Sequence, residues 1–243
     1  QRQMCIRDRS YMNNFTTNTY ELKREICNFS EKIANGTSKP AKKFVMETQY
    51  GLAKGGSCLV SNMARALDED IKLNYTIDRL CDNFANLDDE YEKIIWRNYI
   101  NEVKKHINTK EPIAIFDDSD INKEYSKKLE DLDRVRDASS PDKRIVNGYN
   151  VCEAVLLSKN TNQPISVYSK IYSCKSKNFK SKNTYTLDSI KAVENIVGKK
   201  FIGIFDRGYD DKKIFDYMDK KEHSFIVRLE DIRTLLFKGK KRV

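Results

Sequence analysis

Glycine and proline are scarce, with 9 Gly and 4 Pro among 243 residues. That excludes collagen-like and low-complexity chains and leaves room for long uninterrupted elements. No apolar run approaches the ~20 residues a membrane-spanning helix needs, so an integral helical membrane protein is excluded. The beginning of the chain shows no apolar core followed by a small-residue cleavage site, and the expected location is cytoplasmic. Histidine is represented only by His106 and His223, and the six cysteines (Cys5, Cys27, Cys58, Cys81, Cys152, Cys174) form no C-x-x-C pair. A zinc site and a disulfide framework are therefore both disfavoured, and the thiols read as reduced. The glycines of GLAKGGSC are followed by no G-K-[ST], and nothing strand-like precedes them, which removes P-loop chemistry.

Aromatic residues and charge are plentiful. The chain has 13 Tyr and 11 Phe within a 39% hydrophobic composition, enough to bury a core in one large or two small domains. Its 45 Lys and Arg against 36 Asp and Glu give a net charge of +9. A polyanion, nucleic acid first, is the partner such a balance suits. The excess is uneven: residues 1–111 carry net +2 and residues 112–243 carry net +7. Its densest stretch is KIYSCKSKNFKSK (170–182), where Lys170, Lys175, Lys177, Lys180 and Lys182 stand without an acid and Tyr172 and Phe179 are interleaved. A lysine run is a solvated loop in most proteins; beside a strand in a basic domain it also suits phosphate contact.

The chain changes character near residue 111. Before it, apolar residues recur at helical spacing, as in Leu22, Ile26, Phe29 and Ile33, and again in Tyr91, Ile94, Ile95, Tyr99 and Val103. Trp96 and Tyr99 read as helix-face core rather than base-stacking residues. SCLVSNMARALDED followed by KLNYTIDRLCDNF reads as two short helices around a turn, one with Leu59, Met63 and Leu67, the other with Ile77, Leu80 and Phe84. A helix-turn-helix reader and a plain helical hairpin both fit that pattern. After residue 111, strands alternate with helices: EPIAIFDD, IVNGYNVCEAVLLS, QPISVYSKIYS, KKFIGIFDRG and EHSFIVRLE read as strands. TYTLDSIKAVENIVG and DDKKIFDYMDKK read as helices, the first stopped by Gly198. The first ten residues, QRQMCIRDRS, fit neither a helix entry nor a strand and read as a non-native scar. The other end, LLFKGKKRV, follows a strand-like run without a finished domain, so the chain reads as a fragment.

Two acidic clusters carry the chemistry. IAIFDDSD places Asp117, Asp118 and Asp120 after a buried strand, and FIGIFDRGYDD places Asp206 after another, followed by Arg207 and Gly208. A carboxylate held at the end of a buried strand sits at the sheet edge where α/β proteins keep their sites. Two such carboxylates from adjacent strands can share hard divalent cations, which take oxygen ligands and leave room for phosphates. Acids at strand ends also cap turns and helices, and that role competes with the catalytic one at each cluster. A further alternative takes Asp118 and Asp120 as the D-x-D of a haloacid-dehalogenase-like phosphohydrolase, with Asp206 and Asp210 as a late metal pair. The polar, lysine-rich stretch and hairpin after the first pair speak against it.

Residues 40–243 resemble bacterial insertion-sequence transposases of the DDE class, in the branch whose catalytic domain is interrupted by a β-strand insertion. The resemblance lies in KKFVMETQYGLAKGGSCLVSNMARALDED, IAIFDDSDINKEYSKKLEDLDRVRDAS, NGYNVCEAVL and FIGIFDRGYDDKKIFDYM. It implies an α/β catalytic domain of RNase H-like type, a mixed sheet flanked by helices, over 111–243. A helical DNA-binding domain over 11–110 would precede it. It further implies that Asp117 and Asp206 are catalytic acids sharing two Mg²⁺ (or Mn²⁺) ions, with Asp118 as the nearest rival for the first position. The third acid, a glutamate in a tyrosine–arginine–glutamate–lysine signature, has no counterpart here, since Glu230 lies too early. The catalytic domain is then incomplete at its C-terminus, and the chain alone is either part of a strand-transferase or an inactive DNA-binding remnant. Its implied partners are double-stranded transposon-end and target DNA and a second copy of itself, with no membrane, in the bacterial nucleoid. Arg207, Arg228, Lys175, Lys177, Lys180 and Lys182 are the expected DNA-backbone contacts, while Arg207 could equally pair with Asp210 or Asp211. Lys238, Lys240, Lys241 and Arg242 read as a solvated basic tail.

Overall fold

β-Branched and aromatic runs dominate after Ile113, and helical periodicity dominates before it; the computed structural model divides at nearly the same place. Two compact units span Gln1–Glu102 and Val103–Val243. The structure describes residues 6–137, 140–142, 144–229, 235–237 and 240–242, with side chains described from residue 20 to residue 229 within those limits.

The first unit is built from α1 (Ile6–Ile33), α2 (Lys39–Gly55), α3 (Val60–Leu67), α4 (Leu73–Ala85) and α5 (Asp89–Val103), the last of which reaches the boundary. Residues 6–10, read above as belonging to no element, continue the backbone of α1, because a nucleated helix extends at little cost per added residue. Helix α2 is well delimited. The Ser38 hydroxyl accepts from the Ala41 N–H, a proline sits in the first turn, and Gly56 ends the helix in the left-handed region with φ 58°. Phe44, Met63, Ala64 and Leu80 form one core, against which Val60, Leu67 and Ile77 pack. Ile33, Ala34 and Val45 form another with Phe29, Ile95 and Tyr99.

Four residues of the expected apolar stripes lie at the margin, among them Phe84, 43% exposed with its ring edge-on to Phe44. Leu22 and Leu59 are exposed, and Trp96 is 43% exposed at the edge of the second core, its ring 5.3 Å from that of Tyr99. Helices α3 and α4 pack as a pair. The outward residues of α4 include Tyr75, Asp78, Cys81 and Asp82. Its one arginine, Arg79, turns to Glu47 at 2.8 Å and Glu69 at 2.7 Å. A recognition helix needs cations or amides facing the groove, and the outward residues of α4 supply one amide, Asn74, beside the acids Asp78 and Asp82.

The second unit carries β1 (Ile113–Asn122), β2 (Asp133–Arg136), β3 (Ile145–Leu157), β4 (Pro164–Tyr172), α6 (Lys182–Val197), β5 (Ile202–Phe205), α7 (Lys212–Lys220) and β6 (Ser224–Val227). The sheet runs β2-β3-β1-β5-β6, with β4 also paired to β3. The long β3 is antiparallel to β1, β2 and β4, whereas β5 and β6 are parallel to β1 and to each other. Antiparallel neighbours come from the early hairpins, and the parallel ones from strand–helix–strand crossovers through α6 and α7. A mixed sheet flanked by helices in this order is compatible with an RNase H-like fold.

Alternation decides the two faces. Ala114, Phe116, Cys152, Ala154 and Leu156 are buried on the face that α6 covers, where Phe116 stacks on Phe205 at 4.6 Å. On the other face Ile113, Ile115, Ile202 and Ile204 are half-buried, and Ile226 is 62% exposed. Helix α6 stops where expected, at Gly198 with φ 69°. A short antiparallel pair, β7 (Leu235–Phe237) and β8 (Lys240–Arg242), closes the described chain. Glu230 and Lys238 lie outside the described residues, and for Lys240, Lys241 and Arg242 only the backbone is described.

Candidate functional site

The strand containing IAIFDD does not end at the aspartates, because β3 keeps pairing with β1 as far as Asn122↔Gly148. Asp117, Asp118 and Asp120 therefore lie inside β1, and alternation sends them to different faces. Asp117 shares its face with Ile113 and Ile115, whereas Asp118 and Asp120 follow Ala114 and Phe116.

Asp206 belongs with Asp117. The parallel ladder between β1 and β5 ends on Phe116↔Phe205, and the next residue on each strand is an aspartate. Asp206 keeps an extended backbone, φ −74° and ψ 172°, before the chain turns into a short 3-10 helix over Arg207–Tyr209. Ile204 and Asp206 thus point to the face of Ile115 and Asp117, on strands separated by about 4.8 Å. Both aspartates are exposed. Oδ1 of Asp206 also accepts from the Arg207 N–H at 2.6 Å, so the capping role and a place at the shared face coexist.

A third acid on this face escaped the sequence reading. Glu153 is the direct cross-strand partner of Asp117 and accepts a hydrogen bond from the Ser169 hydroxyl at 3.1 Å. Its signal was available: NVCEAVLL is an apolar strand with one acid, and that acid alternates with Val151 and Val155. Like charges directly opposite each other are unfavourable unless something positive lies between them or water screens them. At the other flank stands Arg228, one residue beyond the last β5–β6 pair, Phe205↔Val227. It is exposed and level with Asp206 along the sheet edge. Glu153, Asp117, Asp206 and Arg228 thus form a lateral row over four neighbouring strands.

Asp118 has a different environment. The Tyr172 hydroxyl donates to its carboxylate, at 2.8 Å from Oδ2 and 3.0 Å from Oδ1, and Lys182 Nζ lies 3.7 Å away. Burial pushes the Asp118 pKa above the ordinary value; the Tyr172 hydrogen bond and the Lys182 charge oppose that, while Asp117 adds to it. The Tyr172 hydroxyl is itself pushed up by burial and by the carboxylate beside it. Next to this pair, the buried Cys152 thiol is raised to about 12, first by desolvation and then by Asp118. An acid held this way, four residues before its strand ends, is poorly placed as a nucleophile at a sheet edge. Asp120 lies on the same face opposite Asn150.

The expected basic contacts divide by what they touch. Lys177 and Lys180 are exposed on the loop after β4. Lys175 donates to the Leu132 carbonyl at 2.8 Å, and Lys182 faces Asp118. Arg207 is half-buried in the turn after Asp206. Asp211 caps α7 by accepting from the Lys213 N–H at 2.7 Å and also accepts from Asn183 at 2.8 Å.

Among the described residues, no group of three or more His, Cys, Asp or Glu side chains is set to enclose a metal ion. The carboxylates on the open face are instead a row, Asp117 and Asp206 side by side with Glu153 opposite Asp117. That suits Mg²⁺ or Mn²⁺, which binds through one or two carboxylates and completes its shell with water and phosphate oxygens. Among the described residues, no helix is long and apolar enough to cross a membrane.

No protein-family model matches this chain, and no curated protein matches it. Among solved structures, one similar chain is that of the cryo-EM structure of piggyBac transposase synaptic complex with hairpin DNA. The identity is 10% and the TM-score 0.46, over 88% of this chain and 49% of that one. This chain thus spans about half the length of the solved chain it matches.

Proposed function

We propose that this chain is part of a DNA transposase of the DDE class, encoded by a bacterial insertion sequence, which acts on transposon-end DNA as a homodimer. The observation that carries the reading is that Asp117 and Asp206 each stand one residue beyond the last pair of the β1–β5 ladder, Phe116↔Phe205, where strand alternation turns them to one face. Of the two neighbouring aspartates in β1, Asp117 is the one that shares a face with Asp206, and Asp118 is committed to Tyr172.

In this reading Asp117 and Asp206 hold Mg²⁺ or Mn²⁺. When bound, the ions supply charge neutralisation at the phosphodiester and a lowered pKa for the attacking water or 3′-hydroxyl. The protein's own residues do the rest. The two carboxylates would set where on the sheet edge the cations sit, and Arg228 stands where it can neutralise a neighbouring phosphate. Lys177 and Lys180 hold the DNA backbone further along. Ser169 orients Glu153 beside Asp117 through its hydrogen bond.

A second reading is a chain that binds metal and DNA without transferring strands, which fits the lack, among the described residues, of any group of three or more side chains set to enclose a metal ion. Mn²⁺ titration followed by electron paramagnetic resonance tests the first element of both. Wild type should bind Mn²⁺, and Asp117→Asn and Asp206→Asn should each weaken binding by at least about tenfold, the range seen even for indirect ligand partners. Equal affinity in all three proteins would remove the metal site. Cleavage of a supercoiled plasmid by the Mn²⁺-loaded wild type then separates an active strand-transferase from a binding-only chain.

A further inference from the structure

Beside the end of β4 lies an open groove of about 560 Å³ whose lining residues do not include Asp117 or Asp206. Its lining includes Tyr149, Lys170, Tyr172, Ser176, Asn178 and Tyr185. The volume falls within the range of small-molecule pockets and is far too small for a duplex. Its aromatic wall is already organised. The rings of Tyr172 and Tyr185 stack at 4.2 Å with 13° between their planes, and Phe179 lies 6.1 Å and 6.2 Å from them. Tyr172 is 5% exposed and fixed by Asp118, so it backs Tyr185, which is half-buried and reaches the groove. Tyr149 is half-buried and tied down by its hydroxyl, which donates to the Glu130 carbonyl.

Charge around the groove is sorted. Glu130 and Asp131 line it and repel a phosphate from its interior, yet they are acceptors for amino and imino hydrogens. The cations Lys170, Lys177 and Lys180 are exposed on the strand and loop that frame it. A ligand matching this pattern is planar and carries hydrogen-bond donors at its edge and phosphate at its outer end. Rings for stacking beside a basic track are the recurrent means of holding unstacked bases.

We propose that this groove binds one or two unstacked nucleotides of single-stranded DNA, with a base against Tyr185 and Tyr149 and the phosphates on Lys170, Lys177 and Lys180. The proposal rests on the reading of the protein as DNA-binding and adds a single-strand site lined by other residues than Asp117 and Asp206, which shares Lys177 and Lys180 with the duplex track.

The test uses the full chain and an oligothymidine carrying one 2-aminopurine, whose emission falls when it stacks, in buffer containing EDTA. Wild type should quench the probe, and Tyr185→Phe should retain this. Tyr185→Leu should weaken binding by about 10-fold or more, the effect of losing one stacked base. Lys170→Glu changes an exposed residue, so it serves as the variant that leaves the core alone, and it too should bind more weakly. A probe that stays bright with wild type would overturn the site, as would unchanged affinity in Lys170→Glu together with unchanged affinity in a folded Tyr185→Leu. Free 2-aminopurine deoxynucleoside monophosphate binding as tightly as the strand would overturn the single-strand assignment. The chelator separates this result from the metal reading. A quenched probe without Mn²⁺ binding keeps the groove and retires the transposase site, and a bright probe with Mn²⁺ binding does the reverse.

Discussion

Asp117 and Asp118 are consecutive in β1 and chemically opposite. One is exposed on the open face beside Asp206; the other sits against Tyr172 and Lys182 with its pKa raised by burial. Because the folded state holds the Asp118 proton more tightly than the unfolded chain does, the associated stability is fully present below the ordinary aspartate range near 3.9. It is lost as pH rises through the shifted value. Asp118→Asn removes that dependence while leaving an oxygen for the Tyr172 hydroxyl. The difference in urea midpoint between wild type and Asp118→Asn should therefore move against wild type as pH is raised from acid through this window. A difference that moves the other way, or stays flat, would show that Tyr172 and Lys182 outweigh the desolvation. The pair of carboxyls was visible in the sequence, but their separation was not. The I-x-I-F-D-D run fixes an apolar alternation, yet only the length of the partner strand decides whether alternation continues through the acids.

That partner, β3, is the element that organises the second unit, since it pairs with β1, β2 and β4. Gly148 is its tightest point, facing Asn122 of β1 and Asp133 of β2. A Cβ there would stand 2.3 Å from the Ile121 carbonyl oxygen and 2.6 Å from a Val135 methyl, closer than any such contact tolerates. The close approach, rather than a special φ, requires glycine. Gly148→Ala should push β1 and β2 apart and destabilise the protein by about 1–3 kcal/mol, the range for overpacking. It should also lose protection in hydrogen exchange at Lys123, whose N–H donates to the Asn147 carbonyl. A melting temperature within error of wild type would refute the close approach. The main strands and both helices of this unit were legible because their periodicity and stop signals are local: Gly198 ends α6, and the Asp211 cap begins α7. β2 was not, since DRVR is short and charged and becomes a strand only through Val135 packing opposite Val146. The groove lined by Tyr149, Tyr172 and Tyr185 was equally hidden, because its three rings come from different elements that share no sequence spacing.

At the scale of the whole molecule, the charge is more sharply divided than the split near residue 111 suggested. Residues 1–102 balance their acids and bases, so the entire net +9 belongs to the unit beginning at Val103. The helical unit keeps Arg79 for Glu47 and Glu69 and places Asp78 and Asp82 on the outside of α4. Sequence-independent attraction to DNA should then come from the sheet unit, whose exposed lysines on the loop after β4 are the densest source. Each phosphate neutralised releases counterions, so the slope of log affinity against log salt counts such contacts at about 0.9 per phosphate on a duplex and 0.7 on a single strand. Replacing Lys177 and Lys180 together by glutamine should reduce the slope of the full chain on duplex DNA by about 1.8 if both lysines touch phosphate. Replacing Lys23 and Lys54 of the helical unit, which lie over Tyr50 at 5.4 Å and 5.6 Å, should leave it unchanged. Lys182 should behave differently from its neighbours. Its charge answers Asp118, so Lys182→Gln should lower stability at neutral pH along with affinity, whereas Lys177→Gln and Lys180→Gln should lower affinity alone. A slope that falls with Lys23 and Lys54 instead would move the electrostatic DNA contact to the helices and away from the sheet that carries Asp117 and Asp206.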